Sequence, residues 1–364
     1  VSTEALAALS IAFPVFFIII AFSSGVSTGT AALIANALGS GDKDRAKLYA
    51  AQSITFSCMV SLVVTAVGLL WSPALFRFMG AEGAYLEITL AYMDVIFIGT
   101  VTFVLTHTLN AALTAQGDTN TIRNVMIAGF FANLGLNPWF MYGGLGVPAM
   151  GFKGIAAATI VIEAFSGLYI GWRAWQTGIL NAHSFALLRP RWRTTMELAG
   201  QGFPASLNMM TVGIGIFVIT YFVSHFGKAA VAAYGIATRV EQIAILPAIG
   251  LNMSSLSITG QNFGAGNYQR IKECLRLSLR YSFYVCAASG PVVFIFAGPL
   301  MRVFTKDPEV IRIGVQYLQI AVFAFFAYGV IFITTSTLQG MKKPMIAVWI
   351  GLYRQILAPV IVYP

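Results

Sequence analysis

Long uninterrupted apolar runs constrain this chain more than any other feature. Stretches of roughly 20 to 30 residues recur from end to end, long enough to cross a hydrocarbon layer of about 30 Å as tilted helices. Backbone amides in lipid must find partners within their own segment, and these runs are too long for barrel strands. The expected class is therefore an all-α polytopic membrane protein. Composition agrees: 58% of the residues are hydrophobic and 10% charged, against about 25% charged in soluble domains. A water-soluble fold of this size would lack the charges to cover its surface.

Ten spans are expected, at 9–36, 47–76, 86–115, 121–142, 152–176, 196–225, 229–257, 272–301, 309–338 and 345–364. Turn-forming clusters separate them, among them Gly39–Asp42, Gln116–Thr119, Gly264–Asn267 and Gln339–Pro344. A net charge of +9 would point to nucleic acid in a soluble protein. Here the basic residues gather in alternate short loops. Lys43, Arg45, Lys47, Arg123, Arg189, Arg191, Arg193 and Lys343 lie on one side, with fewer, such as Arg77, Lys153 and Arg302, on the other. The richer side is cytoplasmic by the positive-inside rule, so the charge reads as topology and no nucleic-acid partner is expected. Cys58, Cys274 and Cys286 all fall in apolar spans. An odd count without metal-ligand spacing predicts neither a disulfide framework nor a metal site.

The chain also repeats itself at an offset of about 225 residues. Leu75–Gly80 (LFRFMG) aligns with Leu300–Thr305 (LMRVFT), and Gly39–Lys47 (GSGDKDRAK) with Gly264–Lys272 (GAGNYQRIK). Matched segments share one orientation, so the predicted architecture is two parallel-repeat helix bundles related by an axis along the membrane normal. The expected domains are an N-terminal lobe, 1–176, a cytoplasmic linker, 177–195, and a C-terminal lobe, 196–364. The span 196–225 has no partner before Leu9, and the partner of 152–176 would follow Pro364. The repeat thus predicts a protein of twelve spans, of which the ten here lack the first and the last.

Nothing marks an enzyme. The glycine-rich Gly260–Asn267 lacks the GK[ST] ending of a phosphate loop, neither GxSxG nor HExxH occurs, and His107, His183 and His225 are far apart. No cofactor is expected, and any transport is driven by an ion gradient or by the substrate's own.

Among ionisable residues, Glu241 is the leading candidate for cation or substrate binding. An acid within a span costs several kcal/mol unless it is paired or faces water. Asn208 or Gln242 is placed to assist it. Glu163 lies mid-span without a neighbouring base, and an interior hydrogen bond competes with a coupling role. Asn133 and Asn137, four apart, share a helix face. Met209, Met210, Phe217 and Tyr221 are candidates for a pliable binding wall, with plain packing as the alternative. His107 reads as a satisfied interior histidine. Gly25 with Gly29, and Gly260 with Gly264, read as close-packing sites. Arg354 lies within the last span, where facing lipid would be costly.

Arg239–Lys272 (RVEQIAILPAIGLNMSSLSITGQNFGAGNYQRIK) resembles the signature of multidrug and toxic compound extrusion (MATE) exporters. In that family an acid, a proline and a small-residue stretch lead into GQNxGAxN. Asn133–Pro138 (NLGLNP) and Gly202–Pro204 (GFP) are similar to two further family motifs. The resemblance implies an exporter working by alternating access through a V-shaped cleft between two lobes. Its substrate would be a bulky, amphipathic and often cationic small molecule, exchanged for H⁺ or Na⁺. It also implies a multi-pass protein of the cell's inner (plasma) membrane, surrounded by lipids and functioning as a monomer. The coupling ion stays open. The family often has aspartate where Asn137 stands, an amide binds a cation but releases no proton, and the matches near Val212 and within Ala321–Thr335 hold no acid. A flippase for lipid-linked saccharides, with the same architecture, is the alternative. It would need several basic cavity groups, and these spans hold few.

Overall fold

The computed structural model describes residues 3–144 and 146–362. Val1, with which the expected N-terminal lobe begins, and the last two residues of the tenth span lie outside them. In chain order the helices are α1 (Thr3–Gly39), α2 (Lys43–Phe78), α3 (Gly83–Ile98), α4 (Thr100–Thr114), α5 (Asn120–Tyr142), α6 (Phe152–Gln176) and α7 (Trp192–Ser224). They continue with α8 (Lys228–Gly264), α9 (Tyr268–Phe304), α10 (Pro308–Ala321), α11 (Phe325–Gly340), α12 (Pro344–Leu352) and α13 (Ala358–Val362). A 3₁₀ helix, Ala182–Leu188, occupies the segment between α6 and α7.

Over the described residues, all ten expected spans are helical. Among the described residues, and with α10–α11 and α12–α13 each taken as one, eight helices are long and apolar enough to cross a membrane, or nine when α3 and α4, bent by 42° at Gly99, count as one. α5 stays outside that set because Asn120, Arg123, Asn124, Asn133 and Asn137 dilute its apolar residues. Several helices overrun their apolar runs. α8 continues through the Gly260–Gly264 motif, since a helix satisfies its own backbone whatever its side chains.

The repeat reappears in the element bounds. α1 and α8 begin and end at an offset of about 225 residues, as do α2 and α9 to within a residue. The turn after each first helix has the same construction. Gly41 (φ 80°) and Gly266 (φ 70°) take the left-handed conformation that glycine adopts without strain. Asp42 then accepts from the Arg45 amide at 2.9 Å, and Asn267 from the Arg270 amide at 3.2 Å, each capping a helix start. The α3–α4 bend has its counterpart in the 3₁₀ turn Val322–Ala324 between α10 and α11.

Packing divides the chain into two compact units, Val1–Met210 and Thr211–Pro364. The border runs through α7, which is continuous, so it marks a change of packing partners along one helix. In the first unit, one apolar core joins Leu33, Ile34, Tyr49, Leu113, Ile170 and Leu198; a second lies around Met93, Ile96 and Phe97. Gly25 and Gly29 let α1 lie against α7. A Cβ on Gly25 would stand 1.9 Å from Ser206 Oγ, and one on Gly29 would stand 2.7 Å from the Gly202 nitrogen. In the second unit a Cβ on Gly340 would stand 2.7 Å from the Leu256 carbonyl oxygen. These are the small-residue contacts that apolar helices need in lipid.

The linker is strapped to α2. Gln52, 1% exposed, donates to the carbonyls of Leu187 and, at 2.7 Å, Arg189, and accepts from the Arg191 amide at 2.9 Å. Thr55 donates to the Leu188 carbonyl at 2.7 Å. One buried amide side chain thereby satisfies three backbone groups of an irregular segment.

Candidate functional site

Ala233 and Ala237 give α8 a narrow face in the core of the second unit, and α10 packs against it. Glu241 lies one turn beyond Ala237 on that face and is 7% exposed. Tyr317 of α10 reaches it, the hydroxyl donating to Glu241 Oε2 at 3.5 Å. That is long for a hydroxyl–carboxylate bond, which is shortest and strongest near 2.5–2.7 Å. The other carboxyl oxygen, Oε1, is buried without a hydrogen-bond partner. A carboxylate removed from water costs several kcal/mol unless it is paired and hydrogen-bonded, and here it has one long contact.

Tyr317 also meets another ring. Tyr234 meets Tyr317 edge-to-face, with ring centroids 5.6 Å apart. Tyr328, one turn into α11, interacts electrostatically with both Tyr317 and Arg354. Arg354 sits on the π-helical turn Tyr353–Leu357 between α12 and α13. Its guanidinium carbon lies 5.3 Å from the Tyr328 ring centroid, a cation–π distance. Its Nη1 is buried without a partner. Gly215 of α7 admits this turn, since a Cβ there would stand 2.6 Å from Gln355 Oε1. The second unit thus holds a buried acid touched by Tyr317, and a half-buried arginine over the ring of Tyr328.

The other expected residues lie elsewhere. Gln242 is exposed on the adjoining face of α8, and Asn208 is half-buried on α7 within the first unit. Met209 and Met210 belong to that unit as well, whereas Phe217 and Tyr221, both exposed, belong to the second. On α5, Asn137 donates to Asn133 Oδ1 at 2.5 Å, and its own Oδ1 is buried without a partner. Glu163 of α6 has a buried, unpartnered Oε2, and Thr106 of α4 donates to its backbone carbonyl at 2.9 Å. The His107 ring bonds the Phe103 carbonyl at 3.0 Å. Among the described residues no three His, Cys, Asp or Glu side chains converge as metal ligands.

Sequence reading did not select Tyr317, Tyr234 or Tyr328. Within a span a tyrosine looks like an interface anchor or packing, and only the pairing of α10 with α8 brings the Tyr317 ring to the acid.

Three comparisons bear on this architecture. The MatE family profile matches residues 1–139 and 204–363. The chain belongs to the MatE family. Among MatE relatives, the FAD transporter of Shewanella oneidensis is 30% identical over 98% of this chain and 78% of its own length. The probable multidrug resistance protein YoeA of Bacillus subtilis is 25% identical over 93% of this chain and 73% of its own. A solved structure described as the outward-facing conformation of a multidrug resistance MATE family transporter superposes with a TM-score of 0.90. It is 25% identical and matches 98% of this chain and 79% of that one. This MatE protein is accordingly a multi-pass, all-α membrane protein of a transporter family.

Proposed function

We propose that this MatE protein is a secondary-active antiporter that expels amphipathic small molecules in exchange for H⁺ or Na⁺, without catalysing a reaction. The reading rests on Glu241, an acid buried within a span and held by one long hydroxyl contact with its second oxygen unpartnered. Such a group is costly as scaffolding and useful as a coupling site, because cation binding relieves the cost and cation release restores it. No resident cofactor is needed, the protein works as a monomer, and its place is the cell's inner membrane. In the first unit, Asn137 Oδ1, beside Asn133, and Glu163 Oε2 are buried without partners and suit a cation.

Substrate class has two readings. Names among the relatives favour drug-like molecules, and those substrates are commonly cationic. The buried, unpartnered Nη1 of Arg354 beside Tyr328 favours an anionic aromatic metabolite, as does likeness to an FAD transporter. Efflux from cells lacking their own exporters separates them. Expression is expected to lower retention of either a cationic dye or a flavin nucleotide. Glu241→Gln cancels that effect at equal expression, and Arg354→Gln cancels it for the flavin only. Unchanged retention of both probes contradicts antiport of either class.

A further inference from the structure

The start of α7 is held to α2 by a cluster whose bonds are of two kinds. Tyr49 of α2, 2% exposed, donates its hydroxyl to Glu197 Oε2 of α7. Arg45, one turn before Tyr49, adds an ion pair to the same oxygen at 3.4 Å. These two contacts cross between helices. The others stay within one helix. Arg193 stands 3.8 Å from Glu197 Oε1, four residues away on α7. Arg45 Nε donates to the Tyr49 hydroxyl at 2.9 Å, and its guanidinium carbon lies 5.4 Å from the Tyr49 ring centroid.

That division decides what parting the helices costs. A charge stripped of its partner is expensive, and here none is stripped. If α7 leaves α2, Glu197 keeps Arg193 and Arg45 keeps Tyr49. Gln52 is bound in the opposite way. Its partners lie in the linker, and pulling it away would orphan the carbonyls of Leu187 and Arg189, the Arg191 amide and its own side chain. The linker therefore stays on α2, and its held residue Arg191 immediately precedes α7, which begins at Trp192. Further along α7 the seam is smooth. Backbone at Gly25 and Gly29 of α1 meets Gly202 and Ser206, and Ser206 turns its hydroxyl to the Gly202 carbonyl of its own helix at 3.1 Å.

A fixed point at Arg191, a breakable contact at Glu197 and a glycine seam beyond it make a pivot with a catch. We propose that the Tyr49–Arg45–Glu197 cluster is a releasable catch. It holds the first turns of α7 against α2 in this state and opens when α7 swings about the linker anchor. The functional sense of the catch rests on the antiport reading, in which its release accompanies opening of the substrate path to the cytoplasm.

The test reads geometry and uses neither substrate nor coupling ion, so it stands whether or not the protein proves to be an antiporter. The full chain carries spin labels at Arg123→Cys, exposed at the start of α5, and Met196→Cys, exposed on α7. Cys58, Cys274 and Cys286 are replaced by serine, and label distances are measured in nanodiscs by double electron–electron resonance. Two separated populations are expected, the caught one dominant. Glu197→Gln and Tyr49→Phe, the latter keeping the ring in place, each raise the ratio of released to caught at least about tenfold, as loss of a charge-assisted hydrogen bond should. Arg193→Gln, which removes a partner that Glu197 keeps on release, does not raise it. One unchanged distance in the parent and both catch variants would make the cluster a permanent strap and overturn the proposal. An equal rise in Arg193→Gln would overturn it too, by making general charge the cause. So would a released population that appears only with a loss of melting temperature, since that reports local unfolding.

Discussion

At the residue scale, the site is one acid and the single hydroxyl that touches it. Tyr317→Phe keeps the ring's packing against Tyr234 and removes the donor to Glu241. The loss of one hydrogen bond to a charged group is worth about 1.5–3 kcal/mol at most, and less over 3.5 Å. Ion-coupled transport is expected to fall several-fold with little change in melting temperature, read as substrate-driven ion flux beside a thermal melt. A matching loss of stability would make Tyr317 a packing residue instead. Glu241 was legible because any acid within a span demands explanation, and Arg354 was legible for the same reason. Tyr317 was not. It lies 76 residues away, and the partner of a buried carboxylate is chosen by tertiary packing, which no local pattern records.

At the element scale, helix order and the repeat could be read from apolar periodicity and turn chemistry. The bend at Gly99, the 3₁₀ turn Val322–Ala324 and the π turn at Tyr353–Leu357 could not, because a locally rewound helix keeps the same apolar composition. Helix starts carry a measurable electrostatic signature. Before α5, Asp118 accepts from the Asn120 and Thr121 amides, both at 3.1 Å, and from the Thr121 hydroxyl at 2.6 Å. Arg173 of α6 stands 3.6 Å away. Partial burial pushes the Asp118 carboxyl up, but the Thr121 and Asn120 hydrogen bonds and the Arg173 charge outweigh it and hold the group below its ordinary value. A carboxyl lowered by folding stabilises the folded state above its unfolded value of about 3.9, and that contribution disappears as pH falls through the folded value. Asp118→Ala is expected to destabilise by about 1 kcal/mol at pH 7. The gap from wild type narrows below about pH 4, as melting curves across pH would show. A gap independent of pH would remove charge from the explanation.

At the scale of the whole molecule, parallel repeats produce two bundles of like construction whose buried polar groups differ. The first holds Asn133, Asn137 and Glu163; the second holds Glu241, its tyrosines and Arg354. Under the proposed antiport, that asymmetry lets one architecture couple an ion to a substrate, since equivalent helices need not carry equivalent chemistry. The most direct measurement is counterflow in sealed proteoliposomes containing the full chain, with an imposed H⁺ or Na⁺ gradient and a fluorescent probe of the cation. Substrate entry is expected to drive cation movement in the opposite direction, and Glu241→Gln is expected to abolish both while leaving reconstitution intact. Substrate movement that persists at the wild-type rate in Glu241→Gln, or that proceeds with no cation moving against it, would contradict the account.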